Sequence, residues 1–329
     1  MRINRVVSKK FVLAIATASV AAAALPSMAS ASEPALLTPK ATLDGAIHCY
    51  GPSLTTSKLT PIMLVTGTGA TGQQAYLIGQ GAFELYGHPV CVVDFPNSTT
   101  ADIQVSVEYL VNGIRYMNTQ ANKKIAIFGI SQGGLLPRWA LTYWPSLRSK
   151  VSDVLAAAGT QHGTNTINLA LCSVAPGCIP AGWQQAAGSN LLKALNKYPD
   201  ETPGTTSWTT VRSSNDETVQ PQTGAHPTSS LKGATNILIQ DVCKNRKVGH
   251  IQTAIDSVTF AAAKDAIEHS GPAKVSRLPK TVCSGPFAPG LDPFNTWVIL
   301  TAAKQLTSGN QKSNPGVTAE PAVRAYAKK

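Results

Sequence analysis

The sequence lacks the patterns that hold a metal ion or a nucleic acid. It has no C-x-x-C pair and no H-E-x-x-H motif, the spacings that commonly gather thiolates or imidazoles around zinc. Acidic residues are few, 17 against 28 lysines and arginines, but the basic residues are scattered and cluster only slightly at residues 244–247. Such an excess indicates a solvated basic surface. We therefore expect no metal and no nucleic-acid partner.

Long apolar runs are also missing, with one exception near the N terminus. Residues 11–25 are apolar, follow four basic residues and precede Ala29-Ser30-Ala31, which is the order of a secretory signal peptide. The run is shorter than the ~20 residues that span a bilayer. Residues 1–31 are therefore predicted to be a cleaved signal, and residues 32–329 to form one domain exported to the extracellular space or the periplasm.

Six cysteines follow the predicted signal. An even number of cysteines in an exported chain indicates three disulfides. The count leaves their connectivity open, although Cys172 and Cys178 are near enough in sequence to close a small loop.

Apolar segments of strand length alternate with segments of helical spacing, such as residues 100–117. This alternation predicts an α/β fold in which helices cover both faces of a mostly parallel sheet. Residues 160–206 form a long excursion between strands and are predicted to be a small cap over the functional site. Residues 32–57 are expected to be an ordered arm at most, and the polar tail from Thr307 to be peripheral. The predicted strands are residues 61–65, 89–95, 123–127, 151–158, 208–212 and 236–240.

Residues 129–133 read Gly-Ile-Ser-Gln-Gly, a G-x-S-x-G motif centred on Ser131. A predicted strand precedes the motif and a helical segment follows it. In that context the serine occupies a sharp turn between strand and helix, and the two glycines let these elements pass closely. The motif therefore predicts the nucleophile of a serine hydrolase.

A serine nucleophile needs a general base and an acid that orients the base, in the chain order serine, acid, base. Asp216 follows the predicted strand at residues 208–212 and is the predicted acid. His250 follows the strand at residues 236–240 and is the predicted base. The alternatives that remain open are His162 and His226 for the base, and Asp241 and Glu217 for the acid.

Such a hydrolase also needs donors for the oxyanion of its tetrahedral intermediate. The backbone N–H of Gln132, directly after the serine, is one predicted donor. Thr68 is the other, through its backbone N–H with or without its hydroxyl, because it lies in the loop after the strand at residues 61–65.

The same loop supports a different class of function. Residues 67–72 fit G-x-G-x-x-G after a strand, and Asp94 ends the next strand, which resembles a dinucleotide-binding fingerprint. An NAD(P)-binding oxidoreductase is therefore an alternative, as is a non-catalytic lipid-binding protein of the same fold. Neither gives a role to the serine, acid and base together.

The sequence resembles the family of Candida antarctica lipase B from about residue 34 to residue 286. The resemblance implies the α/β-hydrolase fold and a secreted lipase or carboxylesterase that needs no cofactor and acts on acylglycerols and other esters. It carries the nucleophile to Ser131, the acid to Asp216, the base to His250 and the oxyanion donors to Thr68 and Gln132. The matching stretches are residues 64–72, 104–109, 131–135, 145–151, 183–185 and 215–222.

The resemblance also implies disulfides Cys49–Cys91 and Cys243–Cys283, whereas Cys172 and Cys178 are additional and fall in the predicted cap. We expect this third disulfide to restrain the cap and to limit activation at an oil–water interface. The expected partners are ester and lipid substrates, with at most transient contact with lipid interfaces, and no obligate protein partner is expected.

The substrate pocket is expected to include Ile130, Thr218 and Val219. The lipase has a tryptophan at the position of Ile130, where it forms the floor of the alcohol pocket. We therefore expect more room beside the nucleophile of this chain.

Overall fold

Seven strands form one sheet in the computed structural model, which describes residues 33–79 and 81–328. The predicted signal peptide at residues 1–31 lies outside the described residues. The strands are β1 (Ile47–Tyr50), β2 (Ile62–Val65), β3 (Val90–Val93), β4 (Ile125–Ile130), β5 (Val151–Ala157), β6 (Ser207–Arg212) and β7 (Thr235–Leu238). Their order is β1-β3-β2-β4-β5-β6-β7, and β1 is antiparallel to β3 while the other pairs are parallel. The predicted, mostly parallel sheet is confirmed.

Helices cover both faces of this sheet. Three of the longer ones begin with a carboxylate cap, because free N–H groups at a helix start need acceptors. Asp102 caps one and Asp292 another. The helices are α1 (Lys40–Gly45), α2 (Gly72–Gly79), α3 (Gly81–Glu84), α4 (Pro96–Thr99), α5 (Ile103–Ala121), α6 (Gln132–Tyr143), α7 (Leu169–Cys172), α8 (Pro180–Gln185), α9 (Asn190–Asn196), α10 (Ile239–Val242), α11 (Ser257–Glu268), α12 (Pro293–Ser313) and α13 (Ala325–Lys328), with 3-10 turns at Pro145–Ser149, Ile251–Ala254 and Val275–Arg277.

The two faces of the sheet bury separate apolar clusters. Successive side chains of a strand point to opposite faces, so in β2 Met63 and Val65 join one cluster while Ile62 and Leu64 join the other. Burial on both sides explains why the central strands are continuously apolar. No helix in the described ranges is long and apolar enough to cross a membrane.

The prediction that residues 32–57 form an ordered arm at most is wrong. This segment forms α1 and β1, and Leu43 of α1 is 1% exposed in the core. The element lengths explain the failure, since a six-residue helix and a four-residue edge strand are too short to show a periodicity.

The prediction that the chain from Thr307 is peripheral is also wrong. α12 continues to Ser313, and the chain then returns across the core, where Ala327 is fully buried. Tyr326 packs against Trp139 and Trp144, and its hydroxyl accepts a hydrogen bond from Trp139 Nε1 at 3.1 Å. Burial raises the pKa of Tyr326 to about 12.

Replacing Tyr326 with alanine is expected to lower the free energy of unfolding by about 2–4 kcal/mol, because a large aromatic contact and a cavity term are lost together. Urea unfolding followed by tryptophan fluorescence measures the change. Tyr116→Ala on the exposed side of α5 is the matched control and should change stability by less than about 1 kcal/mol. Equal stability of the two variants would contradict this role of the tail.

Candidate active site

Ser131 lies in the tight turn between β4 and α6. Its backbone has φ 56° and ψ −125°, a strained region for a residue with a side chain. A Cβ on Gly129 would lie 2.1 Å from the Gly133 carbonyl oxygen, and a Cβ on Gly133 would lie 2.1 Å from the Val65 oxygen. The motif needs both glycines because strand, turn and helix touch through their backbones.

The predicted acid and base are hydrogen-bonded to each other. His250 Nδ1 lies 2.8 Å from Asp216 Oδ2, and both side chains are buried. The other carboxylate oxygen of Asp216 accepts hydrogen bonds from the backbone N–H groups of Thr218 and Val219, each at 2.8 Å. These donors fix the orientation of the carboxylate beside the ring. The carboxylate in turn favours the ring tautomer with its proton on Nδ1, which leaves Nε2 as an acceptor.

The predicted alternatives lie elsewhere or have other contacts. Glu217 accepts a hydrogen bond from the backbone N–H of His250 at 3.0 Å, so it holds the loop that carries the ring. Asp241 and His226 are exposed. His162 Nε2 lies 2.9 Å from Glu201. Burial opposes ionisation of Glu201, but the bonds from His162 and the Lys232 N–H lower its pKa to about 2.

Thr68 and Gln132 lie side by side next to the serine. A Cβ on Gly67 would lie 3.0 Å from the Ser131 Cβ, so the loop after β2 passes directly over the elbow. The Thr68 hydroxyl donates to Gln132 Oε1 at 2.6 Å. With that proton engaged, the backbone N–H of Thr68 is the donor available at this position, and it has no acceptor within the described residues.

Gln185 is a part of the site that no sequence motif predicts. Its Nε2 donates to the Thr68 hydroxyl at 2.8 Å and lies 3.3 Å from Gln132 Oε1. Its own Oε1 accepts from the Thr160 hydroxyl at 3.2 Å. The residue lies in one of the stretches that resemble the lipase family, but nothing in its sequence context indicates these contacts.

A cavity of about 940 Å³ connects these groups. Ser131, Thr68 and His250 line it together with Gln185. The Ser131 hydroxyl and the His250 ring are not hydrogen-bonded to each other in the described chain, and such contacts often tighten only when substrate binds. The three expected pocket residues, Ile130, Thr218 and Val219, also line the cavity. Further walls come from α12 and from the predicted cap.

The six cysteines are paired in the structure as Cys49–Cys91, Cys172–Cys178 and Cys243–Cys283. The first joins the antiparallel edge pair of β1 and β3. The second lies beside the cavity, because Cys178 is one of its lining residues.

No protein-family model matches the chain. Its sequence is 31% identical over 324 residues to lipase B of Pseudozyma antarctica, and the match covers 95% of this chain and 92% of that protein. The chain belongs to the lipase B family. The structure of Aspergillus fumigatus lipase B superposes with a TM-score of 0.84 at 26% identity, over 91% of this chain and 74% of that one.

The family assignment settles the fold class and the broad chemistry. The chain has the α/β-hydrolase fold and is a lipase-type ester hydrolase. A more distant structure, Bacillus licheniformis lipase BlEst2 in its propeptide form, shares the fold with a TM-score of 0.54 at 17% identity, over 70% of this chain and 55% of that one.

The structure gives no support to the dinucleotide-binding alternative, because Asp94, the residue expected to bind the ribose, already has other partners. Asp94 Oδ1 accepts a hydrogen bond from the Gly72 N–H at 2.8 Å, and Oδ2 lies 3.1 Å from His48 Nε2. The carboxylate expected to hold a ribose is thus bonded to its own loop and to the neighbouring strand. Thr68 of that loop instead faces the cavity that contains Ser131.

Replacing Ile130 with tryptophan should restrict the space beside the serine, because Ile130 lines the cavity next to Ser131. We expect the ratio of kcat/KM for esters of bulky over small secondary alcohols to fall by about 10-fold or more, the scale of a pocket that loses steric fit. Ile130→Leu, which nearly conserves volume, should leave the ratio unchanged. If Ile130→Trp also left it unchanged, Ile130 would not set the pocket size.

Proposed function

We propose that this protein is a secreted serine lipase or carboxylesterase that hydrolyses acylglycerols and other carboxylic esters through an acyl-enzyme. Ser131 is the nucleophile, His250 the general base, Asp216 the orienting acid, and the backbone N–H groups of Thr68 and Gln132 are the oxyanion donors. The observation that carries the proposal is the 2.8 Å contact of His250 with the buried Asp216 beside the cavity that Ser131 lines.

In the first half of the reaction, Ser131 Oγ attacks the ester carbonyl carbon and its proton passes to His250 Nε2. The carbonyl oxygen becomes an oxyanion, which accepts hydrogen bonds from the two backbone N–H groups. Collapse of this intermediate breaks the bond to the alcohol, which leaves with the proton of His250. The acyl group remains esterified to Ser131.

In the second half, water attacks the acyl-enzyme and gives its proton to His250. The acid product leaves when the proton returns to Ser131 Oγ. Asp216 stabilises the imidazolium that forms in each half, and two backbone N–H groups hold its carboxylate in position.

Export is supported by the signal-like residues 1–31 and by three disulfides, which persist in oxidising compartments. Acylglycerols are favoured over small soluble esters because the helix that lines part of the cavity also carries exposed apolar side chains. α12 lines the cavity through Ala303 and Thr307 while other residues of the same helix face solvent. The exposed large apolar residues include Phe294, Trp297, Val298 and Leu306 of α12 and Leu171 and Val174 next to the cap disulfide.

The cap is held in place, so a large lid movement is not expected. Cys178 is joined to Cys172 and also pairs through its backbone with Val317, with hydrogen bonds of 3.1 and 2.8 Å. The rate of hydrolysis of a short-chain triacylglycerol should therefore rise smoothly as its concentration passes the solubility limit. A sharp increase at that limit would contradict a restrained cap.

Ser131→Ala is expected to lower kcat/KM for a p-nitrophenyl ester by about 10⁴-fold or more, since it removes the attacking atom. A serine-directed phosphonate should label the wild-type protein once, at Ser131, as measured by mass spectrometry of its peptides. Ser214→Ala, at an exposed serine, should retain full turnover. Near-normal activity of Ser131→Ala would refute the assignment.

A further inference from the structure

α12 contacts the loop that supplies the proposed oxyanion donor. Asn310 Nδ2 donates to the Gly69 carbonyl oxygen at 2.9 Å, and Gln311 Nε2 donates to the Thr68 carbonyl oxygen at 3.2 Å. The two backbones are also close, because a Cβ on Gly69 would lie 2.5 Å from the Thr307 oxygen. Two consecutive carbonyls of this loop are thus held by one helix.

A strained turn holds the same loop from another side. Asn97, Ser98 and Thr99 have φ values of 51°, 52° and 64°, in the left-handed region that is unfavourable for residues with a Cβ. The Ser98 carbonyl oxygen accepts from the Gly69 N–H at 2.8 Å, and the Thr99 hydroxyl donates to the Ala70 oxygen at 2.9 Å. The strained conformation points the Ser98 carbonyl and the Thr99 hydroxyl toward the loop that contains Thr68 and Gly69.

The peptide group between Thr68 and Gly69 is therefore fixed at both ends. Its oxygen is bonded to Gln311 and its N–H to Ser98. This peptide directly follows the Thr68 N–H, so its orientation limits the direction in which that N–H can point. An oxyanion donor stabilises the intermediate only when it is aimed at the developing charge before the reaction starts.

We propose that Asn310 and Gln311 are positioning residues that set the direction of the Thr68 N–H from α12. The inference rests on the proposed function of Thr68. Neither side chain need touch the reacting atoms, since both act on the carbonyls of Thr68 and Gly69. Without them the loop is held by the strained turn alone on this side and can rotate away from the serine.

The test replaces each donor with an isosteric acceptor. In Asn310→Asp and Gln311→Glu the carboxylate faces a carbonyl oxygen and repels it. We expect kcat for a p-nitrophenyl ester to fall by about 5- to 20-fold, less than the loss of a whole oxyanion donor, with KM within about two-fold because the contact strengthens the transition state. The rate of phosphonate inactivation should fall by the same factor, since its tetrahedral adduct uses the same hole.

Gln305→Glu is the control for added charge on α12, because it places the same charge at an exposed position outside the cavity. Asn310 also does not line the cavity whereas Gln311 does, so Asn310→Asp is the variant that Gln305→Glu matches most directly. Its kcat should equal that of the wild type. If Asn310→Asp proves too unstable by thermal melting, Gln311→Glu, at an exposed side chain, provides the comparison. Unchanged kcat in Gln311→Glu and in folded Asn310→Asp, or an equal loss in Gln305→Glu, would overturn the positioning role alone. A wild type without Ser131-dependent turnover would overturn the proposed function as well.

Discussion

The close approach of three backbone segments around Ser131 is the constraint on which the site depends. β4, α6 and the end of β2 meet where Gly129 and Gly133 leave no room for a side chain. A Cβ at either position would overlap a carbonyl carbon or oxygen, so any other residue would have to separate the layers of the fold. The same contacts bring Gly67 against Ser131 and set the distance between this serine and the proposed oxyanion donors. The close packing of these backbone segments therefore also determines the geometry of the site.

The neighbouring carboxylates of Asp216 and Glu217 have different hydrogen-bond partners and therefore different roles. Asp216 is 1% exposed and bonds to the His250 ring and to two backbone N–H groups, so both of its buried oxygens have hydrogen-bond partners. Glu217 is exposed and bonds to the backbone N–H of His250. One carboxylate thus fixes the ring and the other fixes the chain that carries it. Adjacent residues can differ in this way because their side chains leave the loop in different directions.

The sequence was sufficient to predict the parts of the site that local rules determine. The G-x-S-x-G turn follows from a strand, two glycines and a helix, and Asp216 and His250 follow strands whose carboxyl ends lie at one edge of a parallel sheet. The missed parts depend on contacts between distant segments. Asn310 lies 241 residues from its partner Gly69, Gln185 lies 117 residues from Thr68, and Tyr326 lies 187 residues from Trp139. No periodicity or motif marks such residues, because their role arises only after the chain has folded.

α12 has an exposed apolar side and a C-terminal end that contacts the loop next to Ser131. Its outward side chains, such as Phe294 and Trp297, leave apolar area in water, which costs solubility unless a lipid covers it. Its C-terminal end holds the loop next to Ser131 through hydrogen bonds that require a fixed helix position. A helix that moved freely to meet a lipid surface would release those bonds and weaken the proposed oxyanion hole. The pairing of Val317 with Cys178, just beyond the end of α12, resists such movement. This arrangement favours an enzyme whose site is already formed before substrate binds. It disfavours an enzyme whose site opens only at a lipid–water interface.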